Sequence, residues 1–172
     1  MQRKVKILLA IGLVLLSLGV AGLVFYIKTA SSNPVPTSIK NQVNFKIIYP
    51  SASSKLVSYD QSSYSFRTSQ NVLSFKVKYN GNDFAFSEQP APSALGAGDS
   101  VYFPALGIHP YAQFKTKLGL VALTRFWASG SLEPIGQSAL ITSKGTLLTI
   151  QSKDNLSNQE WKNLCDILKI SK

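Results

Sequence analysis

The hydrophobic pattern changes character twice along the chain, and each change predicts a different kind of element. Residues 7–27 (ILLAIGLVLLSLGVAGLVFYI) form an unbroken apolar run with no charge and one hydroxyl, Ser17. As a helix this run measures ~31 Å, enough to cross a hydrocarbon core of ~30 Å. It predicts a single-pass transmembrane anchor. Arg3, Lys4 and Lys6 precede the run and only Lys28 follows it closely. That Lys/Arg excess places the six-residue tail, 1–6, in the cytoplasm and the rest of the chain outside. Phe25 and Tyr26 stand where aromatic side chains meet the outer headgroups. The apolar core exceeds the ~7–15 residues of a cleaved signal peptide, and a cut after Ala30 would leave Lys28 three residues before it, a poor fit.

Residues 28–40 are polar and carry Pro34 and Pro36, which predicts a linker to a domain over 41–172. In that domain the period falls to two. Leu73, Phe75, Val77 and Tyr79 alternate with Ser74, Lys76 and Lys78, the signature of a half-buried strand over 71–79. Asn80-Gly81 follows, a strong hairpin signal because both residues tolerate positive φ. Residues 83–88 return with Phe84 and Phe86 on one face. Shorter strands are expected at 55–60, 63–67, 101–103 and 111–117, with a longer one at 120–128. A second hairpin, 136–142 with 146–151, turns through Ser143-Lys144-Gly145.

The period changes again near the end. Ser157 and Glu160 form a capping box, flanked by Leu156 and Trp161 as a hydrophobic staple. Trp161, Leu164, Cys165 and Leu168 then share one helical face, with Lys162, Asn163, Asp166 and Lys169 opposite. The expected fold is α+β: a curved antiparallel sheet with a C-terminal amphipathic helix packed on it, behind the N-terminal transmembrane helix.

Charge narrows the partners. All eight acids and all but four of the 18 Lys/Arg lie after residue 28, so the domain is mildly basic. The basic residues are never in a run of three, whereas a nucleic-acid footprint is clustered. No nucleic-acid partner is expected. A scattered positive balance suits anionic lipid or an anionic wall polymer. The single cysteine allows no internal disulfide, so packing alone must hold the core.

The Tyr49-Pro50 entry, the LSFKVKY hairpin strand, FAFSEQPAP after it and GTLLTIQS before a capped helix together resemble a bacterial domain family of unknown function found behind single transmembrane helices. Some of its members sit in anti-sigma-factor-type or sporulation-related membrane proteins, others in small proteins of ultra-small bacteria. The resemblance covers about residues 44–171. It implies an extracytoplasmic location and a fold similar to lipoprotein-carrier domains, and it implies no activity. Six residues before the span are too few for the cytoplasmic sigma-binding unit of anti-sigma members.

Most chemistry is excluded by residue type. His109 and Cys165 are the only His and Cys, too few for a zinc site. Residues 146–150 resemble the strand on which sortases carry their nucleophilic Cys, but Ile150 stands in that place. Cys165 belongs to the apolar helix face, where burial as a small hydrophobe is expected. Asp60, Asp83, Glu88, Asp99, Glu133 and Asp154 are isolated in sequence. No phosphate loop, nucleophile elbow or calcium loop is present. Asn155-Leu156-Ser157 matches a glycosylation sequon, but Ser157 is better used as the helix cap.

The expected function is a non-enzymatic, membrane-anchored extracytoplasmic binding module without a cofactor. Its ligand would be an envelope protein, lipid or anionic wall polymer. A greasy groove lined by Phe84, Phe86, Phe126 and Trp127 is the candidate site, set against the favoured reading that these aromatics are ordinary core. Glu88 is the acid to follow there, although it closes a hairpin where a solvated strand end is expected. The alternatives are a regulatory subunit signalling through a membrane partner and an enzyme acting on envelope polymers.

Overall fold

Two tight turns set the order of the sheet. At Asn80-Gly81 the backbone takes φ of 49° and 87°, and at Lys144-Gly145 it takes 50° and 80°. Two consecutive positive-φ residues match the right-handed twist of the strands they join. They close β3 (Val72–Tyr79) onto β4 (Asn82–Pro90) and β7 (Gly136–Ser143) onto β8 (Thr146–Ser152). The second turn is one residue shorter than the sequence predicts, because Ser143 pairs directly with Thr146. The computed structural model describes residues 33–92, 109–127 and 129–171. Its remaining elements are α1 (Thr37–Lys40), β1 (Ile48–Pro50), β2 (Val57–Arg67), β5 (Ala112–Thr116), β6 (Gly119–Phe126), α2 (Asn158–Asp166) and β9 (Leu168–Ile170).

Seven strands form one antiparallel sheet in the order β2-β3-β4-β8-β7-β6-β5, and β1 pairs with β9 in a separate two-stranded sheet. Alternation puts Leu73, Phe75, Val77, Phe84, Phe86, Val121, Leu123, Ala139, Ile141, Leu148 and Ile150 on one face, all buried. That face is covered by α2 and the β1–β9 pair, which contribute Trp161, Leu164, Cys165, Ile48 and Leu168 to the same core. The opposite face is built mainly from Ser, Thr, Lys and Gln with a few half-buried leucines.

The expected α+β class is corrected. Strands hold 51% of the described residues and helices 11%, so the domain is mostly β. The helical period runs from the Ser157 cap only to Asp166. Beyond it the chain straightens: Leu168 pairs with Pro50 and Ile170 with Ile48. Leu168 is buried either way, as the next position of a helical stripe or as the inward residue of a strand. The open N–H and C=O groups of β1 give the strand the advantage, since a buried unpaired backbone group is costly. The C-terminal cover is therefore half helix, half ribbon.

No helix among the described residues is long and apolar enough to cross a membrane. The run 7–27 and the tail 1–6 lie outside the described residues, as does the strand expected at 101–103. The folded unit begins at Pro34. Val35 is buried in the core, so the later part of the expected 28–40 linker is packed into the domain. The two strands expected at 55–60 and 63–67 are one strand, β2, whose pairing with β3 slips between Asp60 and Ser65. Asp60 Oδ1 accepts from both the N–H (3.0 Å) and the hydroxyl (2.6 Å) of Ser62. This local turn accommodates the extra residues of the bulge without ending the strand.

Candidate functional site

The five expected groove residues do not share a surface. Phe84, Phe86 and Glu88 occupy alternate positions on β4 and all point into the core. Phe86 stacks on Phe75 at 4.9 Å between ring centroids, and Phe75 stacks on Tyr64 at 5.1 Å. Phe84 meets Trp161 edge-on at 5.5 Å. These rings fill the space between the sheet and α2. Phe126, the last residue of β6, is half-buried, and its ring lies across Gly136, where a Cβ would sit 2.6 Å from it. Trp127, one residue on, is 54% exposed.

Glu88 is not a solvated strand end. β4 continues to Pro90, and Glu88 lies between Leu73 and Leu148 in the middle of the sheet with no exposure. Its Oε2 accepts from the N–H of Ile48 at 3.0 Å. Its Oε1 and the hydroxyl of Tyr64 are both buried without a hydrogen-bond partner. Desolvation pushes the carboxyl well above the usual range, and the Ile48 N–H opposes this only in part. Burial raises the Tyr64 hydroxyl, and the nearby Glu88 charge raises it further. The site favours the neutral carboxylic acid over the carboxylate. It ties β1 to the main sheet and faces no opening.

Cys165 is buried in the core, as its place on the apolar helix face predicts. Cys165 sits on the inward face of α2 with no exposure, and burial pushes its thiol up to about 12, Asp166 adding to the effect. Thiolate is the reactive form, so this thiol is held inert. His109 is exposed and belongs to a different part of the surface. A soluble maleimide added to the native protein is expected to leave Cys165 unlabelled for hours and to modify it fully in denaturant. Rapid native labelling would show that the helix face is open. Among the described residues no three His, Cys, Asp or Glu side chains gather where they could hold a metal ion.

What the fold leaves accessible is on the other side of the sheet. A shallow depression of about 480 Å³ lies near the end of β6. Its floor is Thr124, Ser138, Leu140 and Thr149. Thr124 pairs with Ser138, and Leu140 with Thr149, so these four share the face away from the core. Its rim is His109, Tyr111, Arg125 and Trp127. Tyr111 is 42% exposed, with the Arg125 guanidinium over its ring at 5.6 Å from the centroid. Partial burial raises the Tyr111 hydroxyl while the Arg125 charge opposes it. Neither of the ion pairs among the described residues uses Arg125.

A second depression, of about 840 Å³, lies beside the β3–β4 hairpin. Its charges are largely matched within the chain: Lys78 lies 3.6 Å from Asp83, and the Asp60 carboxylate is held by Ser62. Of the expected site residues, Trp127 lies at the first depression, and Phe84 and Phe126 line the second. Tyr111 and Arg125 were not anticipated, although Arg125 is the one charge in an otherwise apolar strand. No protein-family profile matches the chain, and neither does any curated protein or solved structure.

Proposed function

We propose that the protein is a membrane-held extracytoplasmic binding module, not an enzyme, and that it works through the face of the seven-stranded sheet opposite the core. The observation that carries this reading is the pair of exposed rings, Tyr111 and Trp127, set beside a guanidinium that joins no ion pair among the described residues, over a floor rich in hydroxyls. Large aromatic side chains gain most of their stabilisation by leaving water, so two of them on the rim of one depression favour a partner. The groups that would serve catalysis are placed otherwise. The perturbed carboxyl of Glu88 and the thiol of Cys165 are sealed in the core, reached by neither depression. The apolar run 7–27 with its preceding Arg3, Lys4 and Lys6 supplies the tether and the outward orientation.

Two measurements test this. A membrane-impermeant amine reagent applied to intact cells is expected to label the exposed Lys115 and Lys169. Their protection in intact cells, with labelling only after lysis, would overturn the location. Titrating the full chain with solubilised envelope fragments is expected to shift the emission of Trp127. Loss of the shift in Trp127→Phe, with Trp161 retained, would assign it to the depression, and no shift at all would count against a binding role.

A further inference from the structure

We infer that the depression around Tyr111, Arg125 and Trp127 takes a sugar chain carrying negative groups; this rests on the binding-surface reading above and names its ligand class. A pyranose ring presents an apolar face of C–H bonds and a rim of hydroxyls. The rings of Trp127 and Tyr111 offer flat apolar surfaces that cover such a face at low entropic cost, having few rotatable bonds. The hydroxyls of Thr124, Ser138 and Thr149 both donate and accept, as a rim of sugar hydroxyls requires.

Arg125 supplies the charge preference. Packing over Tyr111 fixes its planar fork at the edge of the depression. No described carboxylate neutralises it, so its donors are available for the paired oxygens of a carboxylate or phosphate. The rest of the domain reinforces that preference. Lys78 holds Asp83, Lys162 holds Asp166 at 2.6 Å, the Glu160 carboxylate is taken up by the helix cap, and Glu88 is buried. These four acids are taken up by the chain's own groups, while among the described residues Lys115, Lys117, Lys144 and Lys153 join no ion pair, a field that draws in a polyanion.

The same geometry argues against the other anionic partners. An acyl chain needs an enclosed apolar hole, and Phe84 and Phe86, the residues suited to line one, are closed into the core. A single-stranded nucleic acid needs a continuous basic track beside its stacking rings. Here one guanidinium stands in the depression, and the remaining cations are dispersed.

The test uses the full chain in phosphatidylcholine nanodiscs and reads the fluorescence of Trp127, with the buried Trp161 as an internal reference. The probes are dextran, phosphorylated dextran, carboxymethyl dextran, polyphosphate, a single-stranded oligonucleotide and phosphatidylglycerol added to the disc. Both charged dextrans are expected to shift Trp127 and to bind at least tenfold more tightly than dextran itself. Trp127→Phe should remove the signal. Tyr111→Ala should weaken charged-dextran binding roughly tenfold, the size seen when a hot-spot aromatic is truncated. Arg125→Gln should reduce both charged dextrans to the affinity of the neutral polymer. If dextran binds as tightly as its charged forms and Arg125→Gln changes nothing, the anionic class is overturned and the binding surface stands. A response to polyphosphate, the oligonucleotide or phosphatidylglycerol, with none to any dextran, overturns the sugar. If no probe moves Trp127, the inference falls together with the reading beneath it.

Discussion

Replacing Trp161 by alanine is expected to cost about 3–5 kcal/mol of stability, the range for deleting a large aromatic from a packed interior. Trp161 has no exposure and is the largest fully buried side chain of the domain. It does more than fill volume. Its Nε1–H donates to Gln137 Oε1 at 2.9 Å, and the N–H of Leu156 donates to the same oxygen at 2.9 Å. The Gln137 amide donates in turn to Asn155 Oδ1 at 3.1 Å. One side chain of β7 thus fixes both the approach to α2 and its first turn. Alanine would open a cavity against Phe84 and remove one of the two donors that Gln137 accepts from. Phenylalanine at the same position separates the two effects. It keeps most of the burial and loses one hydrogen bond, while Gln137 Oε1 still accepts from the Leu156 N–H, so its cost should be nearer the ~0.5–1.5 kcal/mol of a single net hydrogen bond. Urea midpoints followed by circular dichroism check both variants. An alanine variant within 1 kcal/mol of the parent would mean that α2 is a loose cover and that the core is held by the two sheets alone.

The elements that sequence patterning predicts best are those whose specification is local. Asn80-Gly81 and Lys144-Gly145 sit at turns because their own backbones accept positive φ. Ser157 and Glu160 cap α2 through bonds to each other's backbone N–H groups at 3.3 Å and 2.8 Å. Both features are fully encoded within four residues. The β1–β9 ribbon is different. It joins Ile48 to Ile170 across most of the domain, and nothing in the spacing of Leu168 and Ile170 separates a last helical turn from a three-residue strand. The mostly β class follows from proportion: α2 holds nine residues, while strands hold 51% of the described residues.

The candidate site shows the same division. Alternation along β4 correctly groups Phe84, Phe86 and Glu88 on one face, yet period two cannot say whether that face meets solvent, lipid or a helix. The acid at the end of the series invited the reading of an exposed strand end. It is buried because β4 runs on to Pro90 and is flanked by β3 and β8, a fact of sheet order that short-range patterning does not hold. Tyr111 and Arg125 come together only because β5 folds back on β6, with the Tyr111 N–H bonded to the carbonyl of Leu123 at 2.9 Å.

Stability is expected to fall as pH rises above about 4, because of Glu88. In the unfolded chain a glutamate titrates near 4.3. In the folded domain desolvation raises Glu88 well above that value, so the native state keeps its proton longer. Between the two pKa values the folded chain binds more protons than the unfolded one, and stability then decreases with pH. The contribution is fully present below the unfolded value. It is lost as pH climbs towards the folded one, at about 1.4 kcal/mol for each pH unit inside that window. The carboxyl has one bond, from the Ile48 N–H, and no cation to favour ionisation, while Oε1 and the Tyr64 hydroxyl have no partner. Glu88→Gln keeps an oxygen for Ile48 and cannot ionise, so its urea midpoint should lose this component of the pH dependence. The gap between the variant and the parent should widen in the variant's favour from pH 4 to pH 9. A constant gap across that range would mean that Glu88 is ionised in the folded domain, with a compensating group reaching Oε1. Glu88→Leu probes the other half of the argument. It strands the Ile48 N–H, and a cost of about 1–3 kcal/mol at every pH is expected, with faster hydrogen exchange along β1 as its local signature.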